Sequence, residues 1–166
     1  MKKKQKKNYI LPLAAVLCVL SLAVMVFALT RQNTQTVMGE FTPPPFDSSA
    51  VVGSPTVPDG LGWKELDAKV YKAGICGKFI PKGNTADVWL TNPESNTVWL
   101  KVRVLDEKGN TLGETGIIKP GEYVQSVELD NVPKAGKPIV LKIMAYQPDT
   151  YYSEGAVSLN TTISEE

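Results

Sequence analysis

Most of the chain beyond residue 62 consists of short runs in which hydrophobic and polar residues alternate. Such period-two alternation indicates β-strands with one buried face, and the separators contain the Pro, Gly, Asn and Asp residues that suit turns. The candidate strands are 68–75, 86–91, 97–105, 111–117, 122–129, 139–146 and 156–163. Seven short strands at roughly ten-residue spacing predict an all-β fold, a single antiparallel β-sandwich.

Two tryptophans lie on either side of the polar stretch NPESN, which separates two of these strands. If residues 92–96 form a five-residue hairpin loop, Trp89 faces Trp99 and Asp87 faces Lys101 across the two strands. An aromatic pair and an opposite-charge pair each stabilise a hairpin, by roughly 0.2–1 kcal/mol. The aliphatic residues of both strands occupy the opposite face, so the tryptophans are predicted to point away from the core.

The tryptophan pair has two interpretations. The rings can be part of the fold, covered by the segment around Trp63 or by the PPPF motif of the linker. They can also form an exposed contact surface for a sugar polymer or a protein, because exposed aromatic patches are often binding sites. On the second interpretation the candidate binding residues are Trp89, Trp99, Lys101 and Arg103.

The N-terminal part of the chain has the pattern of an exported protein. Residues 1–9 contain five lysines, and the 20 residues of 10–29 carry no charge, enough to span a hydrocarbon core of about 30 Å as a helix. Lysines before this run predict a cytoplasmic N-terminus and an outside C-terminal domain. The alternative is a secretory signal that is cleaved; both interpretations export the domain.

The segment 30–62 lacks periodic hydrophobic residues and contains five prolines, so it is predicted to be an extended linker. The folded domain is then predicted to cover 63–164. Cys18 lies in the apolar run and Cys76 in the domain. Cys76 is therefore either a small buried residue or a free thiol able to join a second chain.

The composition excludes several function classes. Outside the N-terminal lysines, the 13 basic and 17 acidic residues give a net charge of −4, which argues against a nucleic-acid partner. The chain has no histidine, so it lacks the usual general base and the commonest metal ligand. No phosphate-binding glycine motif occurs. We therefore expect no enzyme activity, no catalytic residues, no metal site and no cofactor.

Three turn motifs stand out in the domain: Asn92-Pro93…Asn96, Asp106…Gly109-Asn110 and Pro120-Gly121-Glu122. They resemble the turns of small Ig-like β-sandwich domains on membrane-anchored surface proteins of Gram-positive bacteria, which are often uncharacterised. The resemblance covers about 100 residues from Trp63 onward and implies an Ig-like fold, without any activity. The chain departs from antibody-type domains because its sandwich lacks a cysteine pair.

These observations together predict a non-enzymatic binding or structural module of the bacterial cell envelope. It is held in the membrane through residues 10–29 and has an envelope protein or a glycan as its partner. Two alternatives remain: a carbohydrate-binding module that uses Trp89 and Trp99, and an accessory subunit of an envelope, secretion or conjugation complex. The oligomeric state is left open.

Overall fold

The computed structural model describes residues 18, 20–22, 24–25 and 41–165. The chain divides into two compact units, Met1–Thr42 and Pro43–Glu166. In the first unit, residues 18, 20–22 and 24–25 are helical. Within the described parts of the chain, no helix is both long and apolar enough to cross a membrane. Most of the predicted anchor, 10–29, lies outside those parts, as do the basic segment 1–9 and the first part of the predicted linker.

Residues 43–165, the described part of the second unit, contain ten strands that form two antiparallel sheets. In chain order the strands are β1 (Val51–Val52), β2 (Trp63–Asp67), β3 (Lys72–Cys76), β4 (Pro81–Lys82), β5 (Thr85–Asn92), β6 (Trp99–Asp106), β7 (Thr111–Glu114), β8 (Glu122–Glu128), β9 (Pro138–Tyr146) and β10 (Ser153–Thr162). The six-stranded sheet has the order β1-β8-β5-β3-β2, with β4 paired to β5, and the four-stranded sheet has the order β10-β9-β6-β7.

The core lies between the two sheets and follows the predicted alternation. On β9, and on β6 from Leu100 to Val104, every second residue is buried, whereas most residues between them are partly exposed. The largest fully buried side chains are Phe79, Ile75, Leu90, Leu100, Ile117, Ile118, Ile139, Leu141, Ile143, Val88, Val102 and Val104. Burial of such aliphatic side chains, at roughly 25 cal/mol per Å² of apolar surface, is the main source of stability.

Each of the seven predicted strands overlaps an observed strand, so the all-β antiparallel sandwich is confirmed. The pattern does not predict β1, β2 or β4. These strands are short, and β2 exposes residues on both of its faces, so it lacks the one-sided alternation that marks a half-buried strand.

The predicted hairpin between β5 and β6 is wrong. The two strands belong to different sheets, and β6 pairs with β9, which sets Trp99 opposite Tyr146. The polar stretch NPESN is thus a connection from one sheet to the other. Its first residue, Asn92, is fully buried and bonds through its side chain to Val98 in this connection. A short polar loop suits both a hairpin and a crossing between sheets, so the alternation on either side cannot distinguish them.

The second part of the predicted linker belongs to the sandwich. The Ile117 N–H donates to the Pro45 carbonyl and the Asp47 N–H donates to the Ile117 carbonyl, both at 2.9 Å. A few residues later, Val51 pairs with Tyr123 of β8. Residues 45–52, the edge segment, therefore run from the side of the four-stranded sheet to the edge of the six-stranded one. Proline-rich extended backbone suits a sheet edge as well as a tether, so composition alone cannot separate the two.

Candidate binding face on the four-stranded sheet

Three of the four predicted binding residues share one surface. Trp99, Lys101 and Arg103 alternate with the buried residues of β6, so their side chains occupy the outer face of the four-stranded sheet, away from the core. Trp89 lies on β5 in the other sheet. The outer surface around Trp99 is called the Trp99 face below.

Trp99 is held between two aromatic rings in edge-to-face contact. The Phe46 ring lies 4.9 Å from the Trp99 ring, centroid to centroid, and the Tyr151 ring lies 5.2 Å away. Such geometry contributes roughly 0.5–1.5 kcal/mol per pair beyond the buried area. The interpretation that the PPPF motif packs on this tryptophan is therefore confirmed for Phe46 and Trp99.

Tyr151 reaches Trp99 from a strained loop. Its φ angle is 58°, and Asp149 in the same loop has a φ of 64°. Left-handed backbone costs a non-glycine residue roughly 1–2 kcal/mol. Hydrogen bonds close the loop, because the Gln147 carbonyl accepts from the Tyr151 N–H at 3.0 Å and the Gln147 N–H donates to the Tyr152 carbonyl at 2.8 Å. The loop thus holds the Tyr151 ring on the Trp99 face at a cost in backbone energy.

A lysine is buried next to the tryptophan. Lys101 is only 4% exposed, and its Nζ donates to Glu114 Oε1 at 2.6 Å. Arg103 Nε donates to the second oxygen, Oε2, at 2.8 Å. Burial alone would raise the pKa of Glu114, but the hydrogen bonds from Lys101 and Arg103 outweigh it and lower that pKa below its ordinary value. The carboxylate is therefore charged at neutral pH and neutralises the buried lysine.

The Trp99 face combines aromatic rings with excess positive charge. Lys119 lies over the Phe46 ring, with its Nζ 4.7 Å from the ring centroid. Lys142 on β9 occupies the position directly opposite Arg103 on β6. Among the charged residues named on this face, Lys101 and Arg103 share the carboxylate of Glu114, and Lys119 and Lys142 are two further cations. The arrangement suits a partner that is both acidic and partly apolar.

Trp89 has a different environment. It has a φ of 48° at an irregularity in the pairing of β5 with β8 between Asp87 and Leu90. Its ring stacks on Tyr123 of β8 at 6.0 Å with an interplanar angle of 19°, and the residue is only 9% exposed. Among the described residues, its indole Nε1 has no hydrogen-bond partner. Trp89 and Trp99 therefore do not form a shared platform.

Cys76 is placed where it cannot react with a second chain in the folded state. The residue is 1% exposed, and burial, with a smaller effect from Asp87, raises the pKa of its thiol to about 11. The thiolate is the nucleophilic form of cysteine, so at neutral pH the Cys76 thiol of the folded chain is neither accessible nor reactive. The interpretation as an intermolecular thiol does not fit this site; the interpretation as a small buried residue does.

The sequence pattern misses Tyr146 and Tyr151 as parts of this face. Tyr146 is on β9 at the position opposite Trp99, and burial raises the pKa of its hydroxyl. The only signal in the sequence is the outward position of Tyr146 in the alternation of its strand.

No family model and no curated protein sequence matches the chain.

Proposed function

We propose that the chain is a non-enzymatic binding module of the bacterial cell envelope, with an Ig-like sandwich held outside the cytoplasmic membrane by residues 10–29. The observation that carries the binding role is the Trp99 face. There a tryptophan clamped by Phe46 and Tyr151 lies beside an excess of cations. The partner is an envelope component with acidic groups around an apolar centre.

The energetics of the face support recognition. Strained backbone at Tyr151 and a buried lysine both cost stability, and features of this kind are concentrated at sites with a function. Rigid aromatic side chains lose little conformational entropy on binding. Cations at the rim raise the association rate and make it dependent on salt. The proposed contact therefore has an aromatic centre and an electrostatic rim.

The partner role is tested by photo-crosslinking from the full chain in the cells that produce it. A photoreactive residue replaces Lys142 on the Trp99 face, and a matched control replaces Lys134, an exposed lysine between β8 and β9. We expect one dominant crosslinked species from position 142, weakened by Arg103→Glu and by added salt. Equal crosslinking from both positions, or none from position 142, would reject the Trp99 face as the contact.

The predicted anchor is tested separately. If residues 10–29 span the membrane, the chain should stay in the membrane fraction after an alkaline carbonate wash, and protease added outside should degrade the sandwich. A chain released by the wash at full length would contradict the anchor. A shorter released chain would support the cleaved signal instead.

An accessory role in a larger envelope assembly is the second candidate, favoured by the same Trp99 face. In that case the species crosslinked from position 142 is a subunit of a complex that co-purifies with the chain after solubilisation. Crosslinking to a glycan, identified by its loss on glycosidase treatment, would instead favour the carbohydrate alternative at this face.

A further inference from the structure

A second surface, on the opposite sheet, has the features of a ligand site that the alternation of the sequence does not indicate. A groove of about 620 Å³ lies against the outer face of β2, β3 and β5. Its volume is within the range of small-molecule sites, roughly 300–1,000 Å³. The lining includes Trp63, Glu65, Lys72, Gly74, Thr91 and Glu94, and one wall is the segment of Ser54, Pro55 and Val57.

The aromatic ring in this groove depends on a glycine. A Cβ atom added to Gly74 would stand 2.2 Å from Cζ2 and 2.3 Å from Cη2 of Trp63. The indole of Trp63 thus occupies the space that a side chain at position 74 would fill. The residue is still 38% exposed, so the tryptophan is supported by the sheet and remains open to solvent.

The floor of the groove is held rigidly. The Asn96 side chain bonds to both backbone groups of Lys72: Oδ1 accepts from the Lys72 N–H at 3.0 Å, and Nδ2 donates to the Lys72 carbonyl at 2.6 Å. These bonds connect β3 to the connection that follows β5. A ligand would therefore meet a surface that is already ordered, which lowers the entropy cost of binding.

We propose that this groove binds a short, neutral oligosaccharide. The exposed indole offers a flat apolar surface for the apolar side of a pyranose ring. Glu65 and Glu94 offer carboxylate oxygens that accept hydrogen bonds from sugar hydroxyls, and Lys72 offers a donor. With two carboxylates and one ammonium, the groove does not favour an anionic sugar.

The geometry is less suited to a peptide. In a β-sheet the backbone N–H and C=O groups lie in the plane of the sheet, so over the outer faces of β2, β3 and β5 a ligand meets mainly side chains. Peptide recognition by strand addition uses the backbone edge instead. A peptide would be expected along the free side of β2, outside the groove.

The test titrates the purified full chain, in a detergent without a sugar headgroup, with cellopentaose and chitopentaose as probes, followed by tryptophan fluorescence. We expect a saturable change with half-saturation near 0.1–1 mM, an order-of-magnitude figure typical of a weak site. Trp63→Ala should abolish it. Gly74→Ala, which keeps the tryptophan but displaces its ring, should weaken binding at least about tenfold, a loss of 1.4 kcal/mol.

One control variant and one further groove variant make the outcome decisive. Tyr152→Ala removes an exposed aromatic side chain at the end of the four-stranded sheet and should leave the titration unchanged. Glu65→Gln keeps the shape of the groove and should weaken binding without unfolding the chain. The proposal is overturned if neither probe gives a saturable change up to about 5 mM, or if Gly74→Ala binds as well as the parent chain. Because the Trp99 face is on the other sheet, failure here leaves the crosslinking result there unaffected.

Discussion

Asn92 connects the two sheets, and its replacement by aspartate is the sharpest test of the fold. Its side-chain Nδ2 donates to the carbonyls of Val98 at 2.9 Å and Ile118 at 3.2 Å. Its Oδ1 accepts from Asn96 Nδ2 at 2.7 Å. The residue is fully buried. The side-chain amide of Asn92, at the end of β5, therefore bonds both to the connection that leads to β6 and to the segment that follows β7.

The change Asn92→Asp keeps the shape and removes the donor. An ionised carboxylate at this position would point an oxygen at two carbonyl oxygens, without water to shield them. Loss of two hydrogen bonds to buried acceptors costs about 1–3 kcal/mol each. We therefore expect a loss of about 2–6 kcal/mol in the free energy of unfolding at pH 7, which is a large part of the roughly 5–15 kcal/mol that is typical of a domain.

The loss should depend on pH in a definite direction. Burial without a cation raises the pKa of the new carboxyl group above the value of about 3.9 that it has in the unfolded chain. The protonated form can donate one hydrogen bond. The contribution of this protonated group to the free energy of unfolding is therefore kept below about pH 4. It is lost as the pH rises through the raised pKa, at up to about 1.4 kcal/mol per pH unit. Asn92→Asp should thus be most damaging at neutral pH.

The assay is urea unfolding of the full chain between pH 4 and pH 7, followed by tryptophan fluorescence. Asn131→Asp, in an exposed loop between β8 and β9, is the matched control and should change the free energy of unfolding by less than about 0.5 kcal/mol. If Asn92→Asp stays within 1 kcal/mol of the parent chain at pH 7, or if its loss does not grow with pH, the inter-sheet role of this amide is refuted.

The remaining predictions concern the buried thiol, the ion pair and the edge segment. In a Cys18→Ser background, Cys76 should resist a thiol reagent until urea unfolds the chain. Because its pKa is raised to about 11 from an ordinary 9.0, stability should fall as pH rises from 9 to 11, by at most about 1.4 kcal/mol per unit, and Cys76→Ala should flatten that slope. Glu114→Gln should cost about 1–2 kcal/mol, discounted for its partial exposure, by leaving Lys101 unpaired. Since the pKa of Glu114 is lowered, its stabilisation is present above about pH 4.3 and lost below it, so the variant should show a smaller acid loss. Asp47→Ala removes three hydrogen bonds and should make the edge segment sensitive to limited proteolysis; unchanged cleavage would contradict that role.

The alternation of the sequence predicts the strands well because it is a local property. Each strand with one buried face repeats its hydrophobic residues every two positions; β9 follows this rule along its whole length, and β6 follows it from Leu100 to Val104. For the same reason the shared outward direction of Trp99, Lys101 and Arg103 follows from the sequence. Their neighbours do not, because the contacts of Phe46 and Tyr151 with Trp99 depend on segments far away in the chain.

The prediction of a hairpin between β5 and β6 was wrong because it, too, depends on contacts between distant segments. Pairing between strands is a non-local choice, and the loop NPESN permits either a hairpin or a crossing between sheets. What favours the crossing is the fully buried Asn92 with its bonds to Val98 and Ile118. A buried polar residue must be hydrogen-bonded, but the sequence does not say which of its asparagines is buried. The irregularity at Trp89 is equally invisible, because a tryptophan at positive φ breaks the local preference.

The segment that the sequence presents as a tether contributes to both candidate surfaces. Phe46 packs on Trp99 on one sheet, while Pro55 and Val57 line the groove beside Trp63 on the other. A chain shortened to begin at residue 63 would lose both contacts and uncover the edge of β8, and exposed strand edges promote aggregation. A chain that begins at residue 43 keeps them. We therefore expect the chain that begins at residue 43 to be monomeric and to unfold at a higher urea concentration than the chain that begins at residue 63. Its tryptophan emission should also lie at shorter wavelength, because Trp99 stays packed against Phe46. Equal stability and emission for the two chains would mean that the segment is a tether after all, and that both surfaces are formed without it.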